Sequence, residues 1–260
     1  MDRLPSVFVS HGSPMHALEP GAAGDVWRAL GRRLGKPRAI VLSSAHWETN
    51  VPMLTGSGKP ETIHDFYNFP EPLYRIRYDA PGAPQVAQRA QALLKAAGFR
   101  AAIDGTRGLD HGAWSPLLYM YPDADVPVVQ VSVQPHLGPA HHIALGKALA
   151  SMRDENFLVI GSGSLTHNLH EFYSSGLPGD APALPWVADF TDWVHDKIEA
   201  GANDDLVNYR KLAPHAVDNH PTDEHLMPLF IAIGAGEAKG RRIHASTRSG
   251  VISMNTYAFG

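Results

Sequence analysis

The sequence predicts a single α/β domain of three layers, with a mixed, largely parallel central sheet flanked by helices. Several short apolar runs lack polar alternation, which is typical of strands buried on both faces. Segments with helical spacing separate these runs, and this order is typical of β-α-β units with right-handed crossovers. No stretch has the composition of an interdomain linker, so we expect one domain over residues 1–260.

The first β-α-β unit consists of a strand at residues 6–10, a helix at 25–34 and a strand at 39–45. The later elements are predicted as helices at 84–97, 113–120, 140–152, 185–200 and 222–233, and as strands at 126–133, 156–161 and 251–259. Gly98 is the expected C-cap of the helix that precedes it. The proline-rich stretches between these elements are predicted to be loops.

Composition excludes several classes of function. The chain has 22 basic and 26 acidic side chains, so its net charge of −4 gives no reason to expect binding to nucleic acid or to an anionic membrane. The absence of cysteine excludes disulfides, thiolate metal sites and a cysteine nucleophile. No apolar run reaches the roughly 18 residues of a membrane span, and the N-terminal run is too short for a signal peptide. We therefore expect a cytoplasmic protein that is a monomer or a small homo-oligomer.

Histidine is the unusual feature of the composition, with 15 copies. It is the commonest metal ligand, and without cysteine any transition-metal site must use histidine and carboxylate. His11, His46 and His167 each follow an apolar strand through a short polar turn. Because ligands of open α/β sheets bind beyond the carboxyl ends of the strands, we expect these three histidines to converge on one rim. The alternative, which we favour for any one of them alone, is a polar residue where the chain reaches solvent.

His225 and His111 are two further candidates. Thr222 is a plausible N-cap, and Glu224 in the first turn of a late helix favours the helix dipole. The helix dipole gives no reason for a histidine at position 225, because a protonated His225 would oppose the dipole. A neutral imidazole would not, and the neutral form is the one that binds metal. Adjacent helical residues diverge by about 100°, so Glu224 and His225 cannot easily point at one metal. His111 lies in a glycine-flanked loop, where Asp110 either orients it or caps the next helix.

Aromatic residues near two of the histidines suggest a flat pocket for a planar ligand. Phe66 follows His64 in a loop stiffened by prolines, and Trp47 adjoins His46. The competing interpretation is that the loop aromatics only anchor the loop to the core. The remaining histidines lack a comparable context, and most are expected at the surface: His16, His136, His141, His142, His170, His195, His215, His220 and His244.

Two other features carry weaker predictions. The sequence GSGS at 161–164 partly matches a nucleophile elbow and a phosphate loop but completes neither, so we interpret it as a flexible turn that delivers His167. Arg75, Arg77 and Arg107 are possible partners for a substrate carboxylate, although surface salt bridges are the more common use of such residues.

Six motifs, in this order along the chain, resemble the class III extradiol ring-cleavage dioxygenases, specifically the DOPA-dioxygenase-like branch: SHGSPM at 10–15, SAHW at 44–47, IHDF at 63–66, LDHG at 109–112, THNL at 166–169 and EHLMPL at 224–229. The resemblance covers almost the whole chain. It implies a single-domain α/β fold, a mononuclear non-haem metal, a catecholic substrate such as DOPA, and O₂.

The resemblance also implies a role for each motif histidine. His11, His46 and His225 would be metal ligands, His167 an acid/base and a further candidate ligand when no substrate is bound, and His111 a contact of substrate or oxygen. Relatives that cleave protocatechuate use glutamate as the third ligand, which completes the facial triad of Fe(II) oxygenases. An all-histidine set also suits Zn(II). We expect one divalent ion, Fe(II) for activity with Zn(II) as an alternative, and substrate contacts from His64, Phe66 and Trp47.

Two other functions compete with ring cleavage. A three-histidine zinc site can generate hydroxide for hydrolysis, and a member of the same fold can bind metal without catalysis. A hydrolase needs neither a flat aromatic slot nor two additional histidines, and a binding protein need not keep His111 and His167 beside the ligand set. A catechol, by contrast, must lose protons to chelate a metal, and a histidine with a pKa near about 6.5 can accept one.

Overall fold

The computed structural model describes residues 3–260, so the first two residues of the predicted domain lie outside it. The strands are β1 Ser6–Ser10, β2 Ala39–Glu48, β3 Met53–Thr55, β4 Ala102–Asp104, β5 Val128–Val133, β6 Phe157–Gly163, β7 Gly240–His244, β8 Thr247–Arg248, β9 Ile252–Ser253 and β10 Thr256–Phe259. The helices are α1 Gly21–Leu34, α2 Glu71–Tyr74, α3 Pro84–Ala96, α4 His111–Met120, α5 Gly138–Leu149, α6 Leu169–Ser174, α7 Pro185–Ala200, α8 Asn203–Val207, α9 Tyr209–Leu212, α10 Ala216–Asn219 and α11 Met227–Ala235. Short 3₁₀ helices occupy Pro14–Ala17, Pro135–Leu137 and Ala150–Glu155.

Eight strands form one mixed sheet in the order β4-β3-β5-β2-β6-β1-β10-β7. The four central strands, β5, β2, β6 and β1, are mutually parallel, and antiparallel pairs occur towards the two edges. The predicted fold class is confirmed. Ser10 pairs with Gly163 and Ser44 pairs with Ser162, so β1, β2 and β6 end side by side at the same edge.

Two apolar cores cover the two faces of this sheet. Helices α1 and α4 pack on one face, against alternate side chains of the central strands such as Val7, Val9 and Leu42. The other face carries α3, α5, α7 and α11, packed against the intervening residues such as Phe8 and Val41. The alternation follows from the period of two in a strand. The result is the predicted three-layer arrangement, with the rim of the sheet open between the helix layers.

Helix α11 begins later than the sequence suggests. The predicted helix at 222–233 is observed at Met227–Ala235, so Thr222 is not its N-cap and His225 lies in the turn before it. The physical reason is Pro228, which is tolerated in the first helical turn but not further in, because it lacks an N–H and clashes with the preceding turn. The dipole argument for Glu224 and His225 therefore does not apply.

The predicted final strand at 251–259 is two strands that belong to different sheets. β9 pairs with β8 in a separate hairpin, whereas β10 pairs with β1 in the main sheet. The chain changes sheets at Met254, whose backbone N–H donates to the carbonyl of Ser246. None of the helices within residues 3–260 combines the length and apolar character needed to cross a bilayer.

Candidate metal centre and active-site cavity

Five histidines meet at the carboxyl edge of the sheet. His11 directly follows β1, His46 lies near the end of β2, and His167 follows β6. His111 is the first residue of α4, and His225 lies just before α11. The sequence-based expectation of convergence on one rim agrees with this arrangement, because the parallel strands deliver their ends to the same place.

The Nε2 atoms of three of these histidines face one another. His11 Nε2 lies 3.1 Å from His46 Nε2, and His46 Nε2 lies 3.3 Å from His225 Nε2. With metal–nitrogen bonds of about 2.0–2.1 Å, ligand nitrogens around one ion lie roughly 2.8–3.4 Å apart, from octahedral to tetrahedral geometry. The observed spacings therefore fit a single transition-metal ion.

The other ring nitrogen of each histidine has an oxygen neighbour. His11 Nδ1 lies 3.0 Å from Ser162 Oγ, and His225 Nδ1 lies 2.8 Å from Glu224 Oε1. His46 Nδ1 is 3.3 Å from Asp65 Oδ2. An acceptor at Nδ1 keeps the proton there, so the Nε2 lone pairs point at one another. Such oxygen partners behind histidines are typical of metal ligands.

The protonation states agree with cation binding. Burial lowers the pKa of His11, His46 and His225 well below the ordinary value, and neighbouring imidazoles lower it further. The three rings are therefore neutral at neutral pH, which is the metal-binding form. Close contact of neutral, lone-pair-bearing nitrogens is favourable only when a cation or a proton lies between them. Burial disfavours the proton, because it lowers the pKa of all three rings.

Two other groups of candidate ligands each share members with this set of three histidines. His111 joins His11 and His46 within 4.8 Å, and His167 joins Glu224 and His225 in the same way. However, the ring of His167 stacks on that of His225, with centroids 3.4 Å apart and planes at 9°. An imidazole lone pair lies in the ring plane, so one ion cannot lie in both planes. This conformation favours His225 as the ligand and His167 as a neighbouring acid/base.

Asp65 and Glu224 orient the histidines rather than face the centre themselves. Asp65 accepts from the backbone N–H of His111 at 2.9 Å, and its other oxygen lies 3.0 Å from His111 Nδ1. Burial alone would raise the pKa of Asp65, but His111 and His46 lower it to about 2, so it is ionised. Glu224 is held by Thr222 Oγ1 at 3.1 Å as well as by His225.

A buried polar network holds the segments that carry His46 and His111. Asp110 is fully buried, caps α4 through the N–H of Ala113, and accepts from Ser44 Oγ at 2.6 Å and Arg107 Nη2 at 3.2 Å. Arg107 also donates to the carbonyl of His46 at 3.2 Å. The cap, one of the two predicted uses of Asp110, is confirmed. Breaking such a buried network leaves charges unpaired, which typically costs several kcal/mol.

Gly112 is where the histidines leave no room for a side chain. A Cβ at this position would lie 2.4 Å from Ser44 Oγ and 3.1 Å from ring carbons of both His11 and His46. We expect Gly112→Ala to displace these rings and to lower metal affinity about tenfold or more, as loss of a ligand's supporting contacts does. Metal titration of the folded variant measures this. Gly105→Ala, where a Cβ meets nothing within 4 Å, is the matched control. Equal affinity in both variants would contradict the expectation.

A cavity of about 170 Å³ opens beside the histidines. Its wall is mainly apolar and aromatic, with four of the five histidines on one side; the lining residues are Gly12, Ser13, Pro14, His16, His46, Phe66, Phe69, His111, His167, Leu169, Phe172, Tyr173, His225, Arg248 and Ile252. His11 lies behind them and is almost fully buried. The wall suits a small planar ring, since aromatic pairs prefer offset or edge-to-face contacts.

Of the three residues predicted to contact substrate, the structure places one on the cavity wall. Phe66 lines the cavity, but Trp47 and His64 are not among the described residues that do so. Trp47 follows His46 in β2, so it faces the opposite side of the strand and packs under the guanidinium of Arg107 at 4.8 Å. His64 Nε2 lies 3.0 Å from the carbonyl of Ile76, and its ring packs behind Phe66. Both predictions of direct contact therefore need correction.

Several contributors to the site were not anticipated. Ser162, interpreted above as part of a flexible turn, is the buried end of β6 and holds His11. The glycines on either side of it were a usable signal, because glycine in a strand often marks a close backbone approach. His16, His142 and His220, expected at the surface, are at most 5% exposed. His16 lines the cavity together with Arg248, for which no local pattern gave a signal.

Known proteins resemble this chain over nearly its whole length. The family model described as the catalytic LigB subunit of aromatic ring-opening dioxygenase matches residues 5–260. The 4,5-DOPA dioxygenase extradiol of Beta vulgaris is 43% identical over 97% of this chain and 95% of its own length. The Escherichia coli K12 protein of the same name is 39% identical, over 91% of this chain and 87% of its own. A crystal structure of an uncharacterized Escherichia coli K12 protein superposes with a TM-score of 0.83 at 34% identity, covering 99% and 100% of the two chains.

Proposed function

The chain belongs to the LigB family of aromatic ring-opening dioxygenases, and we propose from this premise that it cleaves DOPA or a closely related catechol with Fe(II) held by His11, His46 and His225. The enzyme is an extradiol dioxygenase, an oxidoreductase whose substrates are a catechol and O₂. The proposal concerns the three metal ligands, the identity of the metal and the particular catechol. The predicted cytoplasmic location and monomeric or small oligomeric state stay predictions.

The convergence of three Nε2 atoms carries the proposal. Each is fixed by an oxygen partner behind the ring, and the spacings of 3.1 and 3.3 Å match one ion. An Fe(II) ion held there would supply the electron transfer between catechol and O₂, which Zn(II), having no redox chemistry, cannot supply. Histidine donors suit both Fe(II) and Zn(II), so the three-histidine set can hold iron. Ring cleavage then requires iron, because the reaction needs a redox-active metal.

The other residues of the cavity bind the ring and move protons. Burial and the neighbouring His220 lower the pKa of His167 to about 4, so its ring is neutral at neutral pH and can accept a proton from a catechol hydroxyl. His111, held through Nδ1 by Asp65, presents its other edge to the cavity. Phe66 and Phe172 provide flat surfaces that hold the substrate ring and exclude water.

Anaerobic loading with Fe(II), followed by oxygen uptake with a panel of catechols, tests the proposal. We expect the iron-loaded enzyme to consume one O₂ per catechol and to form a coloured muconic semialdehyde, with DOPA among the better substrates. Protein loaded with Zn(II) is the matched control and should bind catechols without consuming O₂. Uptake that is equal with both metals, or absent with every catechol, would contradict the proposed function.

A further inference from the structure

The cavity carries a single permanent charge on its wall. Among the described lining residues, Arg248 is the one whose side chain is always charged, and the others are apolar, hydroxyl-bearing or histidine. Arg248 lies in β8 and pairs in register with Ile252 of β9, which also lines the cavity. Arg248 therefore lies on the wall that His16 and Ile252 also form, at the boundary with a second cavity lined by Arg248, His16 and Gly179.

The guanidinium is held in place by the backbone around it. A Cβ built on Gly179 would lie 3.0 Å from Arg248 Cζ, so the guanidinium packs directly on this glycine. Ser249 donates its backbone N–H to the carbonyl of Gly179 at 3.1 Å, which ties the hairpin to the same segment. Ser249 and Gly250 both have positive φ and close a tight turn after β8. A cation positioned in this way loses little conformational entropy when it binds a ligand.

The bonding capacity of Arg248 is largely free. Its recorded ion pair is with Glu19, at 3.4 Å, and the two side chains are 36% and 61% exposed. An exposed pair of this length contributes little, and a guanidinium has five N–H donors. A ligand anion can therefore bind Arg248 without breaking a strong interaction.

We propose that Arg248 binds a carboxylate on the side chain of the catechol and so selects carboxylated catechols over neutral ones. The inference rests on the proposed function, because the histidines would hold the diol end of the same ligand. The planar guanidinium matches a carboxylate through two parallel hydrogen bonds. The single guanidinium of Arg248 can pair with a single carboxylate on the ligand.

The three arginines considered from the sequence are placed elsewhere. Arg75 pairs with Glu71 and Arg77 with Asp79, in exposed salt bridges. Arg107 is bound to Asp110 beneath the metal centre. None of the three is among the described residues that line the cavity. Arg77 is consequently a suitable control position, since it offers the same charge outside the cavity.

The test compares an acid with its methyl ester, which differ only in the carboxylate, and adds DOPA, which also carries an α-amino group. Arg248→Gln is assayed with 3,4-dihydroxyphenylpropionate, with its uncharged methyl ester and with DOPA, through anaerobic equilibrium binding and steady-state kinetics. We expect Kd and KM for the two acids to rise about 10- to 100-fold, as loss of a charge-assisted hydrogen bond does, with less than about a threefold change for the ester. Arg77→Gln should leave all three unchanged.

A second variant displaces the charge of Arg248 instead of removing it. Gly179→Ala would crowd Cζ of Arg248 and should weaken acid binding without affecting the ester. Weakened binding of both acids would support the carboxylate site, and weakened binding of DOPA alone would contradict it, because the other acid carries the same carboxylate. Equal effects on acid and ester, or no effect in Arg248→Gln, would overturn the assignment. If wild-type protein binds catechols but consumes no O₂, the proposed function fails while the binding measurements still decide the role of Arg248.

Discussion

Alanine at His11, His46 or His225 is expected to remove the bound metal and all oxygen uptake with it. Each imidazole directs one Nε2 at the shared point, at spacings of 3.1 and 3.3 Å. Loss of a partner behind a ligand alone typically lowers metal affinity 10–100-fold, so loss of the ligand itself should lower it by more than about 100-fold. Metal content after dialysis against a weak chelator measures the change. Added Fe(II) should raise the melting temperature of the wild type but not of these variants.

Two further histidine variants sharpen this prediction. His64→Ala removes a histidine that packs behind Phe66 and does not line the cavity, so it should keep its metal. His111→Ala separates the two possible ligand sets, because His111 also lies within 4.8 Å of His11 and His46. Full metal occupancy in the alanine variants of His11, His46 and His225 would show that these residues are not the metal ligands. Loss of metal in His111→Ala, together with full metal content in His225→Ala, would show that His111 and not His225 is the third ligand.

The central strands and their polar ends could be predicted because the signals are local. β1 and β6 are continuous apolar runs, and the predicted bounds agree with those of the structure to within about two residues at each end. Once these strands are taken as parallel, their carboxyl ends must meet at one edge, so the neighbourhood of His11, His46 and His167 follows. The family resemblance then added His225 and His111, which local patterns alone left open.

The rest of the fold depends on contacts between distant segments. The final predicted strand splits because β9 pairs with β8 whereas β10 pairs with β1, and hydrophobicity along residues 251–259 is the same in either case. Short strands such as β3 and β4 have three residues each, too few for a periodic signal. Their formation is decided by the neighbouring strand rather than by their own sequence.

The site residues that went unrecognised act through distant partners. Ser162 gains its role only when His11 arrives from a segment 151 residues away. Asp65 belongs to the IHDF motif but was given no role from the sequence, whereas its carboxylate contacts His46 in β2 and His111 in α4. Arg248 enters the cavity from a hairpin that the sequence did not predict. Sequence patterns therefore identified the ligands better than the residues that orient them or that surround the substrate.

Replacement of His167 should separate catalysis from metal binding. Its ring is largely buried, stacks on His225 and has its pKa lowered to about 4 by burial, so at neutral pH it is an unprotonated base. A positioned acid/base contributes about 10²–10⁴-fold to turnover. We expect His167→Phe, which keeps a flat ring against His225, to lose that factor in kcat while it retains metal and melting temperature. In His167→Ala, added imidazole should restore part of the rate, because it can occupy the space and carry the proton.

The pH profile supplies an independent readout of the same role. Because the base form of His167 predominates above its lowered pKa, wild-type kcat/KM should fall as the pH falls towards about 4. That acid limb should be missing from the residual activity of His167→Phe. Asn219 offers a structural control, because its side-chain amide donates to the carbonyls of Trp186 and His215 and does not line the cavity, while its backbone carbonyl, which accepts from His167, is kept in the alanine variant. Asn219→Ala should change stability more than the pH profile. If His167→Phe and His167→Ala both turn over at the wild-type rate with full metal content, His167 is only a turn residue. The proton from the catechol must then go to another group, for which His111 on the cavity wall is a candidate.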